Sequence, residues 1–267
     1  ISSVVGAMTM ASVYAMAPDM VWLAILLGCL GGVTAGTLIG VVNGVGVAFF
    51  NVSPFMMSLG MASVGFGIAL YLTGGVPVYG MPVAFGDVFG FGTLLGIPAP
   101  VWVAAGLVVA LYVFLYQTPY GRYFYAVGGN LKAASLSGIN TKATLFFTYV
   151  LCAAFAAIAG MLLTARLDTG EANIGASMPL ESIAACVIAG VSLRGGVGRL
   201  ENVVLGALFI PFLAITLLGL LNTKRTPDRW RNGWVTNGVL SICAGLFTIL
   251  GIYQVWDTLQ DVIGSFG

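Results

Sequence analysis

Histidine is absent from this chain, and acidic and basic residues are scarce. Of the 267 residues, 7% are charged and 59% are hydrophobic, and the formal net charge is +1. Without histidine the chain cannot use an imidazole for catalysis, metal binding or proton relay. A soluble domain has about 25% charged residues, so this chain has too few to cover itself against water. The composition predicts a polytopic membrane protein, and no basic run favours binding to nucleic acid.

Catalytic and metal-binding motifs are also absent. Each of the four cysteines (Cys29, Cys152, Cys186 and Cys243) is inside an apolar segment, which is typical of small buried residues and not of a disulfide or metal site. The glycine-rich run 195–200 lacks the Lys-Ser/Thr pair of a phosphate-binding loop. The sequence therefore argues against a membrane enzyme, and it predicts no metal and no cofactor on this chain.

Acidic residues are missing from the middle of the apolar runs. The acidic residues in or beside these runs lie near segment ends: Asp19, Asp87, Asp168, Glu171, Glu181 and Glu201. Ion-coupled pumps usually place an ionisable group at mid-membrane depth. This argues against proton-driven transport, although carbonyl and hydroxyl oxygens alone can bind Na⁺. We therefore expect a conduit whose energy comes from elsewhere.

The apolar runs predict an all-α, polytopic transmembrane bundle that includes short or re-entrant segments. Runs near the roughly 20 residues that cross a bilayer occupy 20–42, 54–72, 101–116, 144–166, 200–221 and 233–253. Shorter runs occupy 1–17 and 180–193, and the Gly- and Pro-rich stretch 76–100 is expected to be re-entrant or to lie on the membrane surface. Because Ile1 begins inside an apolar run, we expect one or more spans to precede it. We interpret 1–267 as a single transmembrane domain.

Glycine recurs at every fourth residue along the second of these runs, at Gly28, Gly32, Gly36, Gly40 and Gly44. Residues at this spacing share one face of a helix. Small residues let helix backbones approach closely in lipid, where helices gain little from hydrophobic burial. We therefore predict a helix-packing face here, in preference to a ligand site.

The Thr118–Lys142 segment is the longest polar interval of the chain, and we expect it to begin with a short helix. Thr118 followed by Pro119 predicts an N-cap and the first helical position. A pair of glycines at 128–129 predicts that this helix ends at Val127, because glycine is a poor helix former.

A second short helix is predicted directly after the first. Asn130 is a good N-cap, residues 131–137 include good helix formers, and Gly138 suits the position that follows a helix C-terminus. Asn140 or Thr141 can cap the next helix. The segment therefore predicts two short rigid helices folded across a surface, rather than a flexible linker.

The charges of the same segment predict its side of the membrane. It contains Arg122, Lys132 and Lys142 and no acidic residue, and cytoplasmic loops carry an excess of lysine and arginine. We therefore expect the segment to face the cytoplasm. The basic loop 222–232 would then lie outside, so charge alone leaves the side of that loop open.

Several short runs of the chain also resemble those of a known protein family. They are Gly121–Asn130, Ala133-Ala134, Leu136–Asn140, Asn43-Gly44, Pro54-Phe55, Leu59-Gly60, Leu72–Gly80, Ile97–Trp102, Ala165–Leu167 and Leu180–Gly198. Together they resemble the permeases of ATP-binding-cassette (ABC) importers for ribose, galactose, xylose and autoinducer-2, a group related to branched-chain amino-acid permeases. The resemblance covers roughly residues 1–221.

The resemblance implies a multi-pass permease of the bacterial inner membrane that works with partners. A second permease chain, identical or different, would complete the pore. A periplasmic solute-binding protein would deliver a monosaccharide or similar small polyol, and separate ATPase subunits would hold the ATP and Mg²⁺. The two short helices would then dock on the ATPase, with glycines setting their bends and basic residues meeting acceptors. The residues that carry this coupling prediction are Gly121, Arg122, Gly129, Asn130, Lys132, Ala134 and Gly138.

The sequence departs from the resembling permeases in three places. Ser2-Ser3-Val4 stands where they usually have Asp-Leu-Ser, so a role for that acid is not carried over. The loop 224–231 is charged instead of short and apolar. The tail ends with Asp257 and Asp261 instead of basic residues.

Candidates for the path of a sugar are polar or polarisable residues in apolar surroundings: Asn43, Ser58, Met61, Asn173 and Glu181. Hydrogen bonding between helices is the alternative role for most of them. For the whole chain, the alternative function is an ion-coupled secondary carrier or channel for a small polar solute.

Overall fold

The structure, a computed structural model, describes residues 1–193 and 195–209. The loop 222–232, the predicted span 233–253, the acidic tail, Cys243 and the second half of the span 200–221 lie outside the described residues. Helices long and apolar enough to cross a membrane are Val21–Ala48, Pro54–Thr73, Ala99–Gln117 and Thr141–Leu167. The predicted all-α membrane bundle is confirmed.

The elements follow one another in a simple order. The helices before the polar segment are α1 (Ser2–Met16), α2 (Val21–Ala48), α3 (Pro54–Thr73), α4 (Val83–Phe85) and α5 (Ala99–Tyr112). The helices from the polar segment onwards are α6 (Pro119–Gly129), α7 (Leu131–Leu136), α8 (Thr141–Leu167), α9 (Met178–Ile188) and α10 (Leu200–Phe209). Single π-helical turns extend α4 (Gly86–Gly90) and α5 (Val113–Gln117), and β1 (Thr93–Leu94) pairs antiparallel with β2 (Ile97–Pro98).

The chain forms two compact units. Unit 1 comprises Ile1–Ser177 and Arg194–Val197, and unit 2 comprises Met178–Leu193 and Gly198–Gly267. Within unit 2, α9 and α10 pack closely, since a methyl group at Gly206 would lie 2.5 Å from the Ala185 carbonyl oxygen. The interpretation of the whole chain as a single domain stays a prediction.

In unit 1, α2 packs along both α1 and α8, and its glycines lie at both contacts. A methyl group at Gly28 would lie 2.6 Å from Met10 Cβ on α1, and one at Gly36 would lie 2.6 Å from Ala157 Cβ on α8. The same overlap occurs between Gly32, Gly40 and Gly44 and the atoms of Met161, Ala153 and Phe146, respectively. The absence of side chains along this face lets the backbones approach.

Hydroxyl groups join α1 to α8 where the sequence departs from the resembling permeases. The Ser2 hydroxyl donates to the Ala157 carbonyl oxygen at 3.3 Å, and the hydroxyls of Ser3 and Thr164 are hydrogen-bonded at 2.7 Å. All three side chains are buried. Buried hydroxyls need partners, and here each helix supplies them to the other.

Two helices continue further than predicted, because Gly44 in α2 and Gly128 in α6 are packing residues and not terminators. The run 20–42 extends as α2 to Ala48, so Asn43 and Gly44 lie inside the helix; a methyl group at Gly46 would lie 2.5 Å from Met57 Cε. The first helix of the polar segment was predicted to end at Val127, but α6 ends at Gly129.

The stretch 76–100 folds onto the end of α8. Gly90 packs so closely on α8 that an added methyl group would collide with the carbonyl oxygen of Ala165. Val78 and Gly170 exchange two backbone hydrogen bonds, at 2.8 and 2.9 Å. Phe85 is fully buried. We call this the distal end of unit 1, and we call the end that carries α6, α7 and the start of α8 the proximal end. A re-entrant or surface position for 76–100 stays a prediction.

Candidate functional site

The polar segment forms the two predicted helices, each begun by the predicted cap. Thr118 Oγ1 accepts a hydrogen bond from the Gly121 backbone N–H at 3.3 Å, and Pro119 occupies the first turn of α6. Asn130 Oδ1 accepts from the Ala133 N–H at 3.0 Å and so caps α7. A helix N-terminus leaves backbone donors without partners, and these side chains satisfy one donor each.

The segment ends with a second pair of caps. Gly138 has a φ of +82°, and the Ile139 N–H donates to the Ala134 carbonyl at 3.1 Å, which closes α7. The next helix could have been capped by either of two residues. The structure decides for Asn140, whose Oδ1 accepts from the Ala143 N–H at 3.1 Å. With a cap at each junction, α6, α7 and α8 follow one another without a flexible linker.

The three glycines predicted to set the bends have different surroundings. Gly121 is buried, and a methyl group there would lie 2.5 Å from Leu115 Cα in the turn that ends α5. Gly138 needs its positive φ, which L residues other than glycine adopt at a cost. At Gly129 a methyl group would meet nothing within 4 Å, and φ is not positive. The geometry therefore requires glycine at two of these positions and not at Gly129.

A glycine that sequence reasoning missed lies beside Gly129. A methyl group at Gly128 would lie 2.5 Å from the backbone nitrogen of Gly196. The sequence marks Gly128 and Gly196 only as helix-ending and turn residues, respectively. Nothing in the sequence says that the two meet.

Exposed side chains on α6 and α7 form a mixed basic and apolar surface at the proximal end. Arg122 and Lys132 are exposed, whereas Ala134 is buried against the rest of unit 1. Leu131 is 49% exposed and Leu136 is 90% exposed. These two leucines were not among the predicted coupling residues.

An apolar cavity of about 580 Å³ lies between α6 and α8. Its walls include Tyr120, Tyr123 and Phe124 of α6 and Phe147 and Leu151 of α8. None of the predicted path residues lines it.

Three of the predicted path residues lie on α2 and α3. Asn43, on α2, has a buried Oδ1 that accepts no hydrogen bond within the described residues. Ser58 is exposed and donates to the Phe55 carbonyl at 3.0 Å, and Met61 lies one turn further along α3. A buried carbonyl without a partner costs about 1–3 kcal/mol, so Asn43 is the polar residue here that packing does not explain.

The other two path candidates are elsewhere. Asn173 is exposed in the loop after α8, at the distal end, and Glu181 is in the first turn of α9 in unit 2. Within unit 1, Asn173 is therefore separated from Asn43 by most of the length of α8. Among residues 1–193 and 195–209, no three His, Cys, Asp or Glu side chains are grouped so that they could hold a metal ion.

Comparison with known proteins identifies the family. Residues 1–243 match the model of the family described as "Branched-chain amino acid transport system / permease component". The chain belongs to this family. The four apolar helices and the membership together make it a multi-pass protein of the bacterial inner membrane.

Curated members of the family are similar over much of the chain. The ribose import permease protein RbsC of Escherichia coli (strain K12) is 39% identical over 69% of this chain and 59% of its own length. The galactose/methyl galactoside import permease protein MglC of the same strain is 33% identical over 76% of this chain and 63% of its own length. The xylose transport system permease protein XylH of Haemophilus influenzae (strain Rd) is 43% identical over 49% of this chain and 35% of its own length.

The chain thus spans less than two thirds of the length of these curated relatives. No solved structure gives a significant match to it.

Proposed function

We propose that this chain is part of the membrane-spanning permease subunit of an ATP-driven ABC importer. The observation that carries the proposal is the pair of capped helices, α6 and α7, which presents basic and leucine side chains at one end of a permease-family bundle. A rigid element of this kind can pass on a displacement that a flexible loop would absorb.

The partner at this surface is an ATPase subunit that carries the ATP and Mg²⁺. Its groove would offer carboxylate acceptors to Arg122 and Lys132 and an apolar wall to Leu131 and Leu136. Charge-assisted hydrogen bonds would fix the register of such an interface, and burial of the leucines would add apolar contact area to it. The surface would then face the cytoplasm, in agreement with its excess of basic residues.

The substrate is a monosaccharide or similar small polyol, delivered by a periplasmic solute-binding protein. Relatives named for ribose, xylose and galactose support this class. A second permease chain would complete the pore. In this proposal Asn43 lies along the path, with Ser58 and Met61 on the adjacent helix, and Asn173 and Glu181 belong to other parts of the path.

Charge reversal tests the ATPase interface in the intact importer. Arg122→Glu and Lys132→Glu should each weaken co-purification of the ATPase and cut ATP hydrolysis stimulated by the sugar-loaded binding protein, because like charges would then face each other. A loss of about fivefold corresponds to about 1 kcal/mol. The matched control is Arg166→Glu, which reverses an equally exposed charge at the distal end and should leave co-purification unchanged.

Other outcomes would overturn the proposal. Equal ATPase recovery with Arg122→Glu, Lys132→Glu and the unmodified chain would exclude this interface. Sugar uptake into liposomes by the permease without any ATPase would favour the ion-coupled carrier or channel instead.

A further inference from the structure

A four-glycine contact joins the end of α6 to a turn that is distant in sequence. The turn is Gly195-Gly196, and both its residues belong with α6 to unit 1. A methyl group at Gly195 would lie 3.2 Å from the Gly128 carbonyl oxygen, and one at Gly196 would collide with the Gly129 backbone nitrogen. The contact is therefore made by backbone against backbone, on both sides.

The conformation of the turn adds a second requirement for glycine. Gly195 has a φ of +89° and Gly196 a φ of +74°, a region that residues with a Cβ adopt at a cost. A turn could need this conformation without touching anything, as Gly190 shows: its φ is +76°, and a methyl group there would meet nothing within 4 Å. A comparison of Gly196 with Gly190 can therefore distinguish the effect of the contact with α6 from the effect of the positive φ.

The Gly195-Gly196 turn is joined through the chain to the segments that contain α9 and α10. The residues before and after Arg194–Val197, namely Met178–Leu193 and Gly198 onwards, belong to unit 2. The peptide that touches α6 is therefore covalently joined on both sides to the segments that contain α9 and α10. A backbone contact has no side-chain rotamers that could absorb a displacement, and close-packed interiors transmit strain.

We propose that the Gly195-Gly196 turn is a positioning element, which follows the end of α6 and passes its displacement into the chain that leads to α9 and α10. This rests on the proposed function, in which the ATPase moves α6 and α7. The turn touches neither ATP nor sugar. It acts through α6.

Three alanine variants in the intact importer test the proposal. Gly196→Ala adds a methyl group against Gly129, and its matched control, Gly190→Ala, adds one at a similar positive φ in open space. Gly128→Ala adds a methyl group 2.5 Å from Gly196, on the other side of the same contact. The readout is the ratio of ATP hydrolysis with and without sugar-loaded binding protein, together with sugar taken up per ATP.

We expect Gly196→Ala and Gly128→Ala to lower this ratio about fivefold or more, while ATPase co-purification stays normal. Gly190→Ala should leave the ratio close to that of the unmodified protein. A merely structural role would change protein yield and not the ratio. If Gly196→Ala behaves as Gly190→Ala does while the unmodified importer is well coupled, the proposal is wrong and the proposed function stands. If the unmodified chain shows no ATPase-dependent uptake, the proposed function is what fails.

A cross-linking measurement keeps the proposal testable if an alanine variant does not fold. Gly129→Cys and Val197→Cys place thiols at exposed positions that adjoin the contact, in a background without the native cysteines. A short bis-maleimide should link them, and the link should preserve coupling because the two elements move together. Loss of coupling on linking would show that they move apart, which would overturn the proposal.

Discussion

Gly121 lies where α6 folds back on the π-helical turn that ends α5. Its α-carbon is so near the Leu115 backbone that no side chain fits. Neighbouring residues cannot relieve such an overlap by changing rotamers, since the obstructing atoms are main-chain atoms. At Gly129, at the other end of the same helix, an added methyl group would meet nothing within 4 Å.

These two glycines give a prediction at the residue scale. Gly121→Ala should destabilise the protein by about 1–3 kcal/mol, through overpacking against Leu115. Gly129→Ala should be neutral or stabilise by up to about 1 kcal/mol, because alanine is the better helix former. The shift in thermal unfolding temperature in detergent measures both. Equal shifts for the two variants would show that the approach to Leu115 is not as close as described.

At the scale of the element, the main feature of α2 is the helix face formed by its glycines at every fourth residue. Gly28 lies against α1, Gly32 lies against both α1 and α8, and Gly36, Gly40 and Gly44 lie against α8. One row of glycines can pack against two helices because the contact passes from α1 to α8 along its length. Glycine costs helical stability in water, and here the close approach of the backbones offsets that cost.

A bulky residue in this row of glycines should separate the helices. Gly36→Val should lower the unfolding temperature and the yield of folded protein, because its methyl groups would overlap Ala157, with a cost of about 1–3 kcal/mol or more. Gly67→Val is the matched control: Gly67 is on α3, is exposed, and has nothing near its α-carbon. Tolerance of valine at both positions would contradict the packing described for α2 and α8.

At the scale of the whole molecule, α8 sets the two ends of unit 1. α6 and α7 precede its N-terminus, and the loop with Asn173 follows its C-terminus. Its 27 residues give about 40 Å at 1.5 Å per residue, which is enough to cross the bilayer. The ends of unit 1 therefore belong to opposite sides of the membrane.

Thiol labelling tests this sidedness. In a background without native cysteines, Lys132→Cys should react with a membrane-impermeant maleimide only in inside-out vesicles, and Asn173→Cys only in right-side-out vesicles. Both side chains are exposed, so in vesicles that contain the permease without its ATPase or its binding protein, labelling depends on the side of the membrane alone. Labelling of both in the same vesicles would exclude a membrane-crossing α8. The reverse pattern would exclude a cytoplasmic position for α6 and α7.

Local chemistry made much of the polar segment predictable. Thr118, Asn130 and Gly138 act within a few residues of their own positions, so the sequence alone placed the starts of α6 and α7. For α8 it left two caps open, Asn140 and Thr141, and the structure decided for Asn140. The end of α6 was wrongly predicted at Val127. A glycine that ends a helix and a glycine that packs against another backbone are the same letter, and only the neighbour distinguishes them.

The sequence by itself determined the membrane class, the helices and the four-residue glycine period, because these depend on composition and on spacing along one helix. It could not show that Gly128 meets Gly196, that Ser3 bonds to Thr164, or that Asn43 Oδ1 has no hydrogen-bond partner in the part of the chain that the structure describes. Each of these depends on groups that are far apart in the chain and become neighbours only when the helices pack. The tertiary structure decided them, since contact in space follows from the packing of whole elements and leaves no local signature in either partner.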